Sequence, residues 1–194
     1  GLLVSEQAHY CVDRAVRMMG WGADGIVKVP TNERFQIEVD QLPLALKEAE
    51  NKGIKIIAVV GSACSTSTGS FDDLNSLADF AQAHNLWFHV DAAHGGALIF
   101  SRKHRQLLAG IQKADSITMD FHKMLLTPAI TTALLYKNGK NAYRTFSQKA
   151  QYLWKDSDTE EWYNLAKRTF ECTKTMMGFK VYAALNEYGT PLYE

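Results

Sequence analysis

The stretch HVDAAHGG, residues 89–96, sets the carboxylate of Asp91 between His89 and His94, just ahead of two glycines. Thirty-two residues on from Asp91, Lys123 closes the run DFHK, which sets Asp120, His122 and Lys123 beside apolar residues. Ionisable groups in such company have perturbed proton affinities. A lysine that is partly desolvated near another cation loses its proton more readily, and the neutral amine is what attacks an aldehyde. Lys123 is therefore a candidate Schiff-base lysine. A lone lysine would ordinarily read as a solvated surface charge; the pairing with Asp91 changes that. An acid that keeps a pyridine nitrogen protonated and a lysine that holds an aldehyde are what a pyridoxal 5′-phosphate site needs. A metal centre built from His89, Asp91 and His94 is a rival of a different class. It gives Lys123 no purpose, and no metal is expected.

The elements that must position these groups alternate between short apolar runs and amphipathic stretches, which is the pattern of an α/β fold. LLV opens a strand, and EQAHYCVDRAVRMMG places Ala8, Val12, Ala15, Val16 and Met19 at helical spacing, closed by Gly20. GIVKVP reads as a strand stopped by Pro30, Asp40 as the cap of a helix over QLPLALKEAENKG, and IKIIAVVG as a buried parallel strand. A small polar loop, SACSTSTGSFD, leads to an amphipathic helix over DLNSLADFAQAHN and the strand LWFHVD. Asp91 thus falls at a strand's carboxyl end, the edge where open α/β sheets bind ligands. ITTALLYKNG reads as a return strand, residues 140–164 follow neither regular period, and residues 166–189 read as a helix with Phe170, Met177, Val181 and Leu185 on one side.

Composition narrows the function classes. Twenty-one Lys and Arg balance 21 Asp and Glu in 194 residues, so there is no net basic field for nucleic acid or an anionic membrane. Three cysteines, Cys11, Cys64 and Cys172, are scattered and form no C-x-x-C pair, which speaks against a disulfide framework or structural zinc and for a reducing, cytoplasmic setting. No apolar run is long enough to span a bilayer. The chain starts at Gly1 and enters at once what reads as a core strand, as a piece of a longer protein would.

Four blocks, SEQAHYCVDRAVRMMG, SACSTSTGSFDDL, WFHVDAAHGGALIFS and ADSITMDFHKMLL, resemble consecutive blocks of the group II pyridoxal-phosphate-dependent amino-acid decarboxylases, in order and over nearly the whole chain. The resemblance implies a fold type I large domain, a mixed, mostly parallel sheet with helices on both faces, here incomplete. It divides the chain into the central part of that domain (1–140), a mobile catalytic loop region (141–164) and a helix leading toward a small C-terminal domain (165–194). A serine- and glycine-rich segment that binds the cofactor phosphate in relatives is expected upstream of SEQAH.

Roles carry over by position. Lys123 matches the lysine that holds the cofactor aldehyde, and His122 and Asp120 belong to the same cofactor-side block. Asp91 matches the aspartate on the pyridine nitrogen, and Ala93 the small residue beneath the ring. His9 matches the histidine that stacks on the ring's other face and helps orient substrate. Thr66 matches a threonine packed near the cofactor. Relatives usually read A-G-T-T there, so Cys64 replaces a glycine and needs a backbone without positive φ, or strain. Tyr152 falls where the family places the loop tyrosine that reprotonates the substrate carbon, and Arg168, near a G-R-R type block, is a candidate for the substrate carboxylate.

The implied reaction is decarboxylation of an L-amino acid to its amine and carbon dioxide, by a cytoplasmic homodimer with sites at the interface. Aldolases, hydroxymethyltransferases and desulfurases of fold type I use aspartate and lysine in the same order and are alternatives, as is a non-catalytic dimerising paralogue. DFHK and HGGALIFS lie slightly nearer the bacterial diaminobutyrate and related decarboxylases than the animal aromatic ones.

Overall fold

A computed structural model describes residues 1–146, 163–171 and 173–194 of the chain. Six strands form one sheet: β1 (Leu2–Ser5), β2 (Ile26–Val29), β3 (Ala58–Ser62), β4 (Trp87–Asp91), β5 (Ser116–Asp120) and β6 (Thr132–Tyr136). Their order is β2-β1-β3-β4-β5-β6, with β6 antiparallel to β5 and every other pairing parallel. The helices are α1 (Tyr10–Met18), α2 (Leu42–Asn51), α3 (Leu74–Ala83), α4 (Lys140–Phe146) and α5 (Gly178–Tyr188). The chain steps from β1 outward to β2, then returns past β1 to β3 and onward. The β1–α1–β2 crossover runs opposite in direction to β2–α2–β3 and β3–α3–β4, and the right-handed rule for such connections then assigns α1 to one face and α2 and α3 to the other.

The central strands are apolar because both faces are covered. All five residues of β3 are buried, and Leu3, Val59, Phe88 and Val90 have almost no exposed surface. Gly61 is where β3 meets α3: a Cβ there would lie 2.8 Å from Leu77 Cδ1 and 3.1 Å from Leu74 Cδ2. Asp72 anchors the loop after β3. Its Oδ1 accepts from the Ile37 N–H and its Oδ2 from the Ser62 N–H, both at 2.7 Å. Burial pushes this carboxyl up, and the two N–H donors oppose the shift. Asp73 then caps α3, accepting from the N–H groups of Asn75 and Ser76.

Several boundaries differ from the sequence expectation, each for a local reason. Helix α1 starts at Tyr10, because residues 6–9 form a turn in which the Ala8 N–H donates to the Ser5 carbonyl and His9 becomes the N-cap. Gly20 ends that helix with φ +81, as expected. Asp40 does not cap α2: it sits in a 3₁₀ turn, Val39–Gln41, Gln41 is the N-cap and Pro43 occupies the first turn. Strand β3 begins only at Ala58. Lys140–Phe146 is a short helix where no period was read, and α5 begins at Gly178, not at 166. The intervening Thr169, Thr173 and Thr175 are weak helix formers, and no residue of α5 is buried to reward an extension.

Candidate active site

Strands β1, β3, β4 and β5 end on one edge, where the strand order reverses around β1, and a cavity of about 280 Å³ lies there. Its lining includes His9, Thr66, Asp91, Ala93, Asp120 and Lys123, six residues from the loops after four different strands and from the strand ends themselves. The topology, more than any local motif, brings them together.

Asp91 is the last residue of β4, and its Oδ1 accepts from the Ala93 N–H at 3.1 Å. That bond ties one carboxylate oxygen to the turn, and Asp91 lines the cavity. The two glycines that follow serve packing. A Cβ on Gly95 would sit 2.8 Å from both the Ala63 carbonyl oxygen and the Cys64 nitrogen, and the Gly95 N–H donates to that carbonyl. The β4 turn is thereby clamped to the β3 loop, which carries Cys64 and Thr66. His9 is held at the N-cap of α1, its Nδ1 accepting from the Cys11 N–H at 3.3 Å.

Lys123 arrives from the turn after β5. Its Nζ lies 2.8 Å from Asp120 Oδ2, while Asp120 Oδ1 accepts from Thr132 Oγ1 at 2.6 Å. Burial pushes the Asp120 carboxyl up, but the hydrogen bonds from Lys123 and Thr132 outweigh it and hold the group below the usual carboxylate range. Asp120, expected among the cofactor contacts, thus serves here as the partner of Lys123.

His122 is not in the cavity lining. Its Nδ1 sits against the Thr131 backbone, 3.1 Å from the N–H and 3.0 Å from the carbonyl oxygen, and its Nε2 is 3.8 Å from Asp120 Oδ2. Arg168 also lies elsewhere, with its guanidinium 5.7 Å from the Tyr143 ring centre, on a separate groove between β6 and α5. Tyr152 lies outside the described residues. Cys64 lines the cavity without a left-handed backbone, so the glycine-to-cysteine difference carries no φ strain, and burial pushes its thiol up.

Five wall residues had no place in the sequence reading of the cofactor site: Cys11, Val12 and Thr118, and also His89 and His94, which were considered only as metal ligands. A usable signal existed for two. Thr118 and Asp120 on β5, like His89 and Asp91 on β4, are two apart and share a face. Among the described residues no group of three His, Cys, Asp or Glu is placed to hold a metal ion.

The donor set suits pyridoxal 5′-phosphate. A carboxylate with one oxygen left over, a lysine reaching the same space, a small residue between them at Ala93 and an imidazole in the wall are the groups its pyridine nitrogen, aldehyde and ring faces call for.

Comparison with known proteins points the same way. Residues 2–194 match the family described as the pyridoxal-dependent decarboxylase conserved domain. The chain is 36% identical to aspartate 1-decarboxylase of Aliivibrio fischeri, over 100% of this chain and 34% of that protein. It is 34% identical to L-2,4-diaminobutyrate decarboxylase of Acinetobacter baumannii, over 99% and 38%. The crystal structure of mouse CSAD superposes with a TM-score of 0.91 at 31% identity, covering 100% of this chain and 40% of that one. The chain therefore spans well under half the length of these relatives.

Proposed function

The chain belongs to the pyridoxal-dependent decarboxylases, and from that premise we propose that the whole protein removes the α-carboxylate of an L-amino acid as carbon dioxide, using pyridoxal 5′-phosphate. One observation carries the reading: Asp91 and Lys123, at the ends of neighbouring strands, line a single cavity with His9 in its wall. When bound, the cofactor supplies an electron sink for the carbon that loses its carboxylate. Lys123 Nζ would hold the aldehyde, and Asp91 Oδ2 the protonated pyridine nitrogen. Ala93 leaves room for the ring, Thr66 packs beside it, and His9 would stack on it and orient the substrate. Asp120, anchored by Thr132, gives the lysine ammonium a place to rest whenever its nitrogen is released. His122 fixes the Thr131 backbone beside this pair.

Tyr152, in the segment 141–164 read as a mobile catalytic loop, is the proposed donor of the proton that replaces the lost carboxylate. Arg168, at the start of the 165–194 segment, stands on the β6–α5 groove and not in the cavity, so its proposed contact with the substrate's carboxylate requires that segment to move toward Lys123. Closing a loop over residues 1–140 would exclude water while that proton moves. A cytoplasmic homodimer is the proposed assembly, in keeping with the balanced charge, the lack of a helix long and apolar enough to cross a membrane among the described residues, and the exposed apolar side chains of α1 and α5. The named relatives act on aspartate and on 2,4-diaminobutyrate, and these head the candidate substrates.

The test is an absorbance spectrum of the full-length protein with pyridoxal 5′-phosphate, alongside Lys123→Ala, before and after borohydride reduction. A visible band that is trapped covalently on Lys123 and lost in the variant is expected, followed by carbon dioxide release from one of the candidate amino acids. A trapped band without amine from any amino acid would overturn the decarboxylase reading in favour of a non-catalytic paralogue. If Tyr152 is the proton donor, Tyr152→Phe keeps the band but diverts turnover to oxidative or transamination products; an unchanged amine yield removes that assignment.

A further inference from the structure

We propose that His89 is a positioning residue, locked as the neutral Nε2–H imidazole so that the charge of Asp91 is left whole for the cofactor's pyridine nitrogen. The inference rests on the reading of the cavity as a pyridoxal 5′-phosphate site.

His89 is two residues before Asp91 on β4, on the same face, and its partly buried ring lines the cavity. Both ring nitrogens meet hydroxyls of β5. Nδ1 is 2.8 Å from Ser116 Oγ, and Nε2 is 3.3 Å from Thr118 Oγ1. The direction of these bonds follows from a third. The Trp87 Nε1–H can only donate, and it reaches Ser116 Oγ at 2.8 Å. Ser116 is buried, and its own hydroxyl proton needs an acceptor. Nδ1 is the acceptor in place, so Ser116 donates to Nδ1, the ring proton resides on Nε2, and Nε2 donates to Thr118 Oγ1.

A run of one-way hydrogen bonds, Trp87 to Ser116 to His89 to Thr118, thus ends at the cavity wall. Placing a second proton on the ring would set Nδ1–H against the Ser116 hydroxyl and break the run. Burial also lowers the proton affinity of the imidazole, although Asp91 and the Ser116 backbone pull the other way.

The consequence falls on Asp91. Its Oδ1 takes the Ala93 amide, and an imidazolium two residues away on the same face would draw on the remaining charge. The other charged or titratable groups around the cavity are His9 and Cys11 at the start of α1, Cys64 in the β3 loop, His94 in the β4 turn, and Asp120 and Lys123 after β5. Asp120 and Lys123 pair with each other, and His9 accepts from the backbone. A neutral His89 therefore leaves Asp91 to the cofactor. Thr118, opposite Asp91 in the β4–β5 register, keeps its own hydroxyl proton free for an acceptor in the cavity.

Neutron diffraction from perdeuterated full-length protein reads the ring directly. One deuteron, on Nε2, is expected; a deuteron on Nδ1, alone or with Nε2, overturns the inference. Binding of pyridoxal 5′-phosphate, followed by tryptophan fluorescence, supplies the second readout. His89→Phe should raise the dissociation constant about tenfold, the worth of roughly one hydrogen bond, while His89→Gln, which can still donate to Thr118, should stay within about threefold. Equal losses in both variants, or none in either, would reduce His89 to packing and defeat the proposal. A wild type that binds no pyridoxal 5′-phosphate would instead sink the cofactor reading itself, whatever the ring's protonation.

Discussion

Two concavities of this molecule, one lined by β6 and one at the ends of β4 and β5, differ in kind as well as size. The larger, about 1000 Å³, runs between β6 and α5 and is walled by side chains such as Leu134, Met176 and Tyr182, which stand exposed among the described residues. The smaller, about 280 Å³, holds Asp91 tied to Ala93, Lys123 tied to Asp120, and His9 tied to the start of α1. Apolar surface constrains what covers it only loosely, because the hydrophobic effect is non-directional. Hydrogen-bonded acids and bases impose distance and direction. Volume alone would have picked the groove; the proposed chemistry lies in the cavity, where Asp91, Lys123 and His9 each have a partner that aims them.

The sharpest way to break this contrast is to remove the directed charge. Asp91→Ala in the full-length protein should cut turnover by about 10²–10³-fold, the scale on which a single preorganised electrostatic contact acts. Steady-state rates with the best substrate check this, and a loss below about threefold would mean the cavity's acid is not the one that matters. Next comes the scaffold that holds the cavity's walls. Asp72→Ala strips acceptors from two buried N–H groups, on Ile37 and Ser62, and should destabilise the fold by about 2–3 kcal/mol in urea unfolding. An effect under about 0.5 kcal/mol would show the β3 loop to be held by other means. The smallest effect is expected in the groove. Phe170, 87% exposed, changed to Ser should leave both stability and cofactor binding within about 0.5 kcal/mol. A marked loss of cofactor binding would erase the division between the two regions.

Much of the site could be read from order along the chain. The run LWFHVD alternates and stops at an acid, so Asp91 had to lie at a strand end, and the apolar run before DFHK put Lys123 just past the next one. Parallel connection then sends both to the same edge. The direction of individual side chains could not be read in the same way. His122 neighbours Lys123 in sequence, yet its Nδ1 sits on the Thr131 backbone with Nε2 3.8 Å from Asp120, and Asp120 binds Lys123 and Thr132. Arg168 follows a family-like position but lies on the groove: α5 begins only at Gly178, and Arg168 itself follows a single 3₁₀ turn, Leu165–Lys167.

What the sequence determined by itself was the alternation of buried strands and amphipathic helices, the carboxyl-end placement of Asp91 and Lys123, and the chemistry their pairing permits. These depend on local periodicity and on the character of each residue, both of which are written along the chain. What only the tertiary structure decided was which groups share the cavity and which of them reach one another across strands. Ser116, Thr131 and Thr132 reach their partners across neighbouring strands or turns, and a hydrogen bond between residues distant in sequence exists only once the strand register is set.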